Sequence, residues 1–172
     1  MPKTKNSVDI KPLPNKTKCL VDANILIYHL NGASPERRDF LSRVASQDVE
    51  AYLTTIIVAE VLHRQMLIEA VEKGLVSPGK AVRKLKTNPG IIEQLTTHIS
   101  QIKKLLKLPF KILPVEESDI SKSHDLRIKH HLFVNDSINL ACAKRSGIRH
   151  IVTHDGDFVR AVGVKVWSPT DL

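Results

Sequence analysis

The sequence contains few of the residues that define several common classes of protein. Cysteine occurs only at positions 19 and 142, and neither belongs to a CxxC pair or a cluster with histidine, so a disulfide framework or a structural zinc site is not expected. No apolar run reaches the length of about 18 residues that a membrane-spanning helix needs, and the amino terminus has no apolar core of a secretion signal. We therefore expect a protein of a reducing, cytoplasmic compartment with no membrane segment.

Phosphate-binding glycine motifs and aromatic residues are also scarce. Neither GxxxxGK[ST] nor GxGxxG occurs, which argues against a nucleotide-dependent enzyme. The chain has seven aromatic residues, four Phe, two Tyr and one Trp, which leaves little material for the base-stacking platforms of proteins that bind single strands. Any specificity for a nucleic acid is therefore expected to come from the shape of a groove.

Charge is distributed unevenly along a chain whose length suits one domain. The 172 residues include 26 Lys and Arg against 18 Asp and Glu, a formal net charge of +8, which favours a polyanionic partner such as nucleic acid. The excess is concentrated in residues 1–18, with five lysines against Asp9, and in residues 64–111, with ten basic residues against three glutamates. We expect residues 1–18 to form a flexible basic tail and residues 19–172 to form the folded domain.

The basic central segment falls largely on two predicted helices. Lysine and arginine supply most of the sequence-independent affinity for RNA by neutralising phosphates, although charge on an exposed helix is equally typical of an ordinary solvated face. The candidate RNA-binding residues are Arg83, Lys84, Lys86, Lys103, Lys104 and Lys107.

Short apolar runs alternate with helical patterns along the chain. Ser34-Pro35 suits a helix start, Gly74 and Gly147 suit helix ends, and Asn135 suits an N-cap. Strands separated by helices indicate a parallel sheet with helices on both faces, hence a three-layer α/β domain. Strands are predicted at about 19–21, 51–54, 110–115, 151–153 and 164–167, and helices at about 22–30, 34–45, 55–73, 77–88, 91–108, 118–130 and 135–145.

Four acidic residues lie where predicted strands end or predicted helices begin. Asp22 and Asp155 each come just after an apolar run, so both are expected at the carboxyl end of a strand. Glu60 lies early in the helix after the second strand, and Asp136 lies at the start of another helix. A single Asp at such a position is commonly only a cap or turn former. Four acids at the edge where α/β sheets bind ligands predict a shared site.

Converging carboxylates favour a particular chemistry. Like charges a few ångströms apart do not all stay ionised without a counter-ion, and oxygen-only ligands with room for water favour Mg²⁺ or Mn²⁺ over zinc. Such a cation activates a water molecule and neutralises charge on a phosphodiester. The sequence therefore predicts metal-dependent phosphodiester hydrolysis.

Four short motifs stand in the order and spacing of a known family. They are LVDANILIY from residue 20, TTIIVAE from residue 54, NDSINLA from residue 135 and THDGDF from residue 153. Together, over about residues 19–169, they resemble the PIN-domain family, and the size and layout look most like the VapC toxins of toxin–antitoxin pairs. The resemblance implies a three-layer α/β/α fold with a central parallel sheet and an endoribonuclease that depends on Mg²⁺ or Mn²⁺.

The resemblance also implies a role for each motif residue. Asn24 and Thr153 match polar positions that support the site, and Ser137 stands where alanine is commoner. The acids implied to be catalytic and to ligate the metal are Asp22, Glu60, Asp136 and Asp155, with Asp157 as an accessory ligand.

Three functions agree with this resemblance. As a VapC-like toxin, the chain is expected to cleave RNA, to form a homodimer and to be inhibited by a small antitoxin protein. The basic segment 1–18 is unusual for a compact toxin, which leaves open a stand-alone nuclease of rRNA or tRNA maturation. A non-catalytic RNA-binding module is the third reading, and the presence of all four acids argues against it.

Overall fold

A single parallel sheet forms the centre of the molecule. The computed structural model describes residues 7–32 and 34–171. Its six strands have the order β1-β6-β5-β2-β3-β4, and every neighbouring pair is parallel. The strands are β1 Val8–Asp9, β2 Lys18–Val21, β3 Glu50–Thr54, β4 Lys111–Leu113, β5 His150–Val152 and β6 Lys165–Ser168.

Helices connect these strands and flank the sheet, which confirms the predicted α/β fold. None of the helices in the described ranges has the length and apolar character needed to cross a membrane. Two short 3₁₀ helices occur at Pro89–Gln94 and Asp157–Arg160. The α-helices are α1 Ala23–Asn31, α2 Pro35–Ala45, α3 Thr55–Glu72, α4 Ala81–Thr87, α5 Thr97–Leu105, α6 Glu117–His130 and α7 Val134–Arg145.

The order of the strands determines where a ligand can bind. Strand β2 pairs with β3 on one side and with β5 on the other, so the chain leaves β2 in one direction and later returns to its opposite edge. In open α/β sheets a crevice forms at such a switch point, outside the carboxyl ends of the strands. The central strands that frame it are buried, with Leu20, Leu53 and Ile151 at most 1% exposed.

Most helix boundaries follow the local sequence signals. Ser34 caps α2 with Pro35 in the first turn, and Gly74 and Gly147 adopt the positive φ angles expected just after a helix. Helix α7 differs, because it begins at Val134 and Asn135 is already inside its first turn. The predicted helix over 91–108 is also wrong, since the chain forms a 3₁₀ turn before α5 begins at Thr97.

The amino-terminal segment is more ordered than the charge pattern indicates. The prediction of a flexible tail is wrong for residues 8–18, where Val8–Asp9 pairs with the edge strand β6 and Ile10 and Leu13 are buried. These apolar side chains extend the core, and the pairing covers an edge whose N–H and C=O groups would otherwise stay open. Residues 1–6 of the predicted tail lie outside the described residues.

A buried ion pair joins the two helices that precede β5. The carboxylate of Asp119 on α6 is fully buried and accepts hydrogen bonds from Nε and Nη2 of Arg145, both at 2.9 Å. It also accepts one from the Cys142 thiol at 3.2 Å. These bonds, led by those from Arg145, lower the pKa of Asp119 to about 2.

Replacing this carboxylate is expected to destabilise the fold in a pH-dependent way. Because the pKa of Asp119 is depressed, its contribution is present at neutral pH and is lost as the pH falls from about 4 through about 2. Asp119→Asn should lower the free energy of unfolding by about 3 kcal/mol at pH 7, and this difference should shrink at pH 3. Urea unfolding measures both values. Asp125→Asn on the exposed side of α6 is the control, and an equal loss in both variants would contradict the assignment.

Candidate active site

The four predicted acids lie in one cleft at the carboxyl edge of the sheet. Asp22 follows β2 and caps α1, and Asp155 follows β5 across the switch point. Glu60 comes from the second turn of α3, and Asp136 comes from the first turn of α7. All four line the same open cavity of about 670 Å³. Four different elements therefore bring their carboxylates to one place, as the sequence predicts.

A hydrogen-bond network fixes the carboxylate of Asp22. Its Oδ1 accepts from the backbone N–H of Ala23 at 2.7 Å, and its Oδ2 accepts from Asn24 Nδ2 and from the Thr153 hydroxyl, each at 2.6 Å. Thr153 is fully buried and its oxygen also accepts from Asn24 and from the N–H of Asp155. The end of β2 is thereby tied to the end of β5, and Asn24 and Thr153 lie where the resemblance implies.

A second polar contact positions the helices that carry Glu60 and Asp136. The Thr54 hydroxyl accepts from the N–H of Ile57 as the cap of α3 and donates to Asn139 Oδ1 on α7 at 2.6 Å. Both side chains are buried, so this bond is shielded from water and breaking it would leave polar atoms unpaired. It joins the start of α3 to the second turn of α7, next to the turns from which the two acids extend into the cleft.

Burial, together with the crowding of carboxylates, raises the pKa of two of these acids. Burial is the main reason that the pKa of Asp136 rises to about 7, and the nearby charges of Asp22, Asp155 and Glu60 raise it further. Burial likewise raises the pKa of Asp22 to about 6, although the hydrogen bond from Thr153 opposes the shift. The fold therefore holds these groups where a proton or a cation must offset their repulsion.

Three of the acids are close enough to share one ion. Asp136, Asp155 and Asp157 each offer a carboxylate oxygen, and these oxygens lie within 4.8 Å of one another. Asp157 also forms an ion pair with Arg160 at 2.8 Å and donates its N–H to Asp155 Oδ1, whereas Asp155 faces the cleft. A set of carboxylate oxygens with open space beside it fits a hard divalent cation such as Mg²⁺ or Mn²⁺.

The cleft also contains residues that the sequence analysis did not single out. Arg64 lies one turn after Glu60 on α3, and Phe133 lies three residues before Asp136. On α1, Tyr28 and Asn31 continue the helical spacing that begins with Asn24. A spacing of three, four or seven residues from a predicted site residue is the signal that would have found them, since residues at these spacings share a helix face.

The predicted RNA-binding residues lie elsewhere. All six are exposed, and the side chains that line the acidic cleft do not include them. They project from α4 and from the end of α5. Helix α4 packs on the second half of α3 through a small separate core that includes Leu85 and Leu95, whereas Ile102 and Leu105 of α5 belong to the main core. Glu69 of α3 fixes α5 by accepting hydrogen bonds from the N–H groups of residues 96–98.

Known proteins resemble this chain both in sequence and in fold. The PIN domain model matches residues 19–164. The ribonuclease VapC2 of Methanocaldococcus jannaschii is 28% identical over 145 residues, which cover 84% of this chain and 89% of that protein. VapBC2 from Rickettsia felis, solved with a DNA fragment from its promoter, has a TM-score of 0.61 at 15% identity and covers 88% of this chain and 98% of that one. A toxin–antitoxin complex from Klebsiella pneumoniae has a TM-score of 0.53 at 19% identity, with coverages of 90% and 99%.

Ionisation of Asp136 should measurably lower the free energy of unfolding of the metal-free protein. Because the pKa of Asp136 is raised from 3.8 to about 7, the metal-free folded state binds a proton more tightly than the unfolded state and loses stability as the pH rises between these values. In EDTA, Asp136→Asn should therefore be more stable than the wild type at pH 8, on the order of 1 kcal/mol after screening by solvent in the open cleft. The difference should vanish near pH 4.

Urea unfolding at pH 4 and pH 8 tests this expectation. Asp39→Asn, an exposed carboxylate on α2, is the matched control and should show no such gain. A loss of stability in Asp136→Asn at pH 8 would mean that this carboxylate contributes favourable contacts that outweigh its repulsion.

Proposed function

Because the chain belongs to the PIN-domain family, whose model spans residues 19–164, we propose that it is a metal-dependent endoribonuclease. The observation that carries the proposal is the convergence of Asp22, Glu60, Asp136 and Asp155 in one cleft. Ribonuclease is also the activity in the name of the archaeal relative. The reaction adds water across a phosphodiester, so that one P–O ester bond breaks to leave a phosphate monoester and a free hydroxyl.

The residues of the chain have separable tasks in this reaction. Asp22, Glu60, Asp136 and Asp155 would hold Mg²⁺ or Mn²⁺, with Asp157 as the accessory ligand. When bound, the cation supplies an activated water and offsets the charge of the phosphate. Thr153 and Asn24 keep Asp22 oriented, and the raised pKa of Asp136 means that protons compete with the cation below neutral pH.

We further propose that the chain is the toxin of a VapBC-type pair. The support is the sequence similarity to a VapC protein and the fold shared with chains of VapBC2 and of a toxin–antitoxin complex. In that role a small antitoxin protein would bind and inhibit the enzyme, and two copies of the chain would form a homodimer. The cytoplasmic location also stays a prediction.

The basic residues of α4 and α5 are proposed to hold the RNA backbone. The six residues are exposed. The small core holds α4 in place, and Glu69 and the main core hold α5. The residues are Arg83, Lys84, Lys86, Lys103, Lys104 and Lys107. Exposed cations bind phosphates of any sequence with an affinity that falls as salt rises. This surface would supply affinity, while the acidic cleft would supply the chemistry.

Cleavage of a labelled RNA pool tests the enzymatic proposal. The wild type should cut the pool in Mg²⁺ or Mn²⁺ and stop in EDTA, and Asp22→Asn should lose at least about 100-fold in rate because a ligand and the centre of its network are altered. Asp39→Asn, prepared identically, controls for contaminating nucleases. Cutting that survives EDTA, or full activity in Asp22→Asn, would refute the site. RNA binding without cutting by the wild type would favour the binding-module reading.

The salt dependence of RNA binding tests the basic surface. Lys103→Ala/Lys104→Ala should bind RNA of every sequence more weakly. The slope of log affinity against log salt should become shallower by about 1.4, since each of the two lost phosphate contacts on a single strand contributes about 0.7. Lys122→Ala/Lys129→Ala removes two exposed lysines from α6 and is the matched control. Equal slopes for the two double variants would show that the charge of α5 is an ordinary solvated face.

A further inference from the structure

The exposed aromatic side chains of the protein are concentrated at the acidic cleft. Phe40, Phe158 and Trp167 are buried, and Tyr52 and Phe110 pack partly buried against the same core. The remaining two of the seven aromatic residues are Tyr28, 48% exposed, and Phe133, 76% exposed. Both line the cavity that holds the four carboxylates.

Phe133 has no evident structural reason to be exposed. It occupies the N-cap position of α7, where its side chain forms no capping bond and where a small polar residue would stabilise the helix better. Most of its apolar surface stays in water, although large aromatic residues usually gain their stability from burial. Three residues later Asp136 enters the cleft, so the ring lies beside the place where a bound phosphate would sit.

A buried arginine contacts the ring of Tyr28. The guanidinium carbon of Arg37 lies 5.0 Å from the centre of the Tyr28 ring, and the ring of His154 meets it nearly perpendicularly at 6.4 Å. Arg37 is only 2% exposed, and its Nε and Nη2 have no hydrogen-bond partner among the described residues. The cation–π contact therefore compensates for a costly burial and holds the tyrosine ring in a fixed orientation with about half of its surface open.

We propose that Tyr28 and Phe133 are stacking platforms for unpaired nucleobases on either side of the phosphodiester in the cleft. The proposal rests on the proposed ribonuclease function and names its substrate as single-stranded or looped RNA. Stacking on an aromatic ring accepts any base and needs a base whose face is free, which a duplex does not offer. Arg64 in the same cavity gives such a strand a cation for a neighbouring phosphate. Base stacking would then contribute to specificity in addition to the shape of the groove.

The surroundings of the two rings favour RNA over a protein segment. The cleft that holds the two rings is also lined by carboxylates and by amides such as Asn31 and Asn135, which suits a ligand that is apolar on its faces and polar at its edges. An adjacent and more apolar cavity of about 380 Å³ shares Arg64 with the cleft and is lined by α3 and α4 residues such as Leu67 and Val82. An apolar side chain of a peptide would bury more of its surface against apolar residues in that cavity than in the acidic cleft.

Fluorescence of a short RNA tests the proposal without cleavage. The probe is a single-stranded oligonucleotide that contains 2-aminopurine, whose emission is quenched on stacking, and the protein is Asp22→Asn. Adding Phe133→Leu or Tyr28→Leu should weaken binding about tenfold each and remove part of the quenching. Phe133→Tyr should recover most of the affinity because the ring is kept. Ile128→Ala, which removes an exposed apolar side chain from α6, should bind as its parent does.

Cleavage assays distinguish the stacking proposal from the ribonuclease proposal on which it rests. They use the wild type and the leucine variants without Asp22→Asn, so that all four acids are present. Phe133→Leu should raise the KM for single-stranded RNA about tenfold, with an unchanged affinity for Mn²⁺ as evidence that the acidic site is intact. If the wild type cuts RNA while the two leucine variants bind and cut equally well, the stacking proposal is overturned and the rings are left to a protein partner. A wild type that neither binds nor cuts RNA overturns both proposals.

Discussion

The mutual repulsion of carboxylates at one edge of the sheet is the constraint on which the rest of the structure depends. Asp22, Glu60, Asp136 and Asp155 come from four elements and meet in one cleft, where burial and neighbouring charge raise the pKa of Asp136 to about 7. A fold tolerates such a site only if other contacts hold the acids in place. The buried hydrogen bonds of Thr153 and Thr54 do so, since one ties β2 to β5 and the other ties α3 to α7.

Helix α3 connects the different parts of the proposed function. Its first turns carry Glu60 and Arg64 into the cleft, and its last turns carry Glu69, whose carboxylate caps α5. The helix contacts α1, α5 and α7, so the acidic site and the basic helices share one rigid support. An RNA strand bound by the lysines of α5 would therefore meet the cleft at a fixed distance and angle.

Charge and stacking would divide the recognition of RNA between them. The exposed lysines and arginines of α4 and α5 would contact only the phosphate backbone, since such cations act over several ångströms and carry no information on the base sequence. The rings of Tyr28 and Phe133 act in contact and require that a base be unpaired. A nuclease with both would bind many RNAs weakly and would present only flexible or looped segments to its acids. Arg37 lies over the Tyr28 ring without any ligand, so this platform would be present before RNA binds.

The sequence by itself determined most of the helices and strands, and it predicted the acids that meet in the cleft. Apolar runs ending in Asp22 and Asp155 identified two strands and their edge, and helical spacing located Glu60 and Asp136, because these signals are local and come from backbone geometry. Only the tertiary structure decided which residues beyond the motifs belong together. Val8 pairs with Trp167, which lies at the other end of the sequence. The composition of residues 1–18 alone therefore does not predict this strand pairing. The exposure of Phe133 and the support of Tyr28 by Arg37 likewise depend on which side chains the folded core leaves uncovered, and that is a property of packing rather than of local pattern.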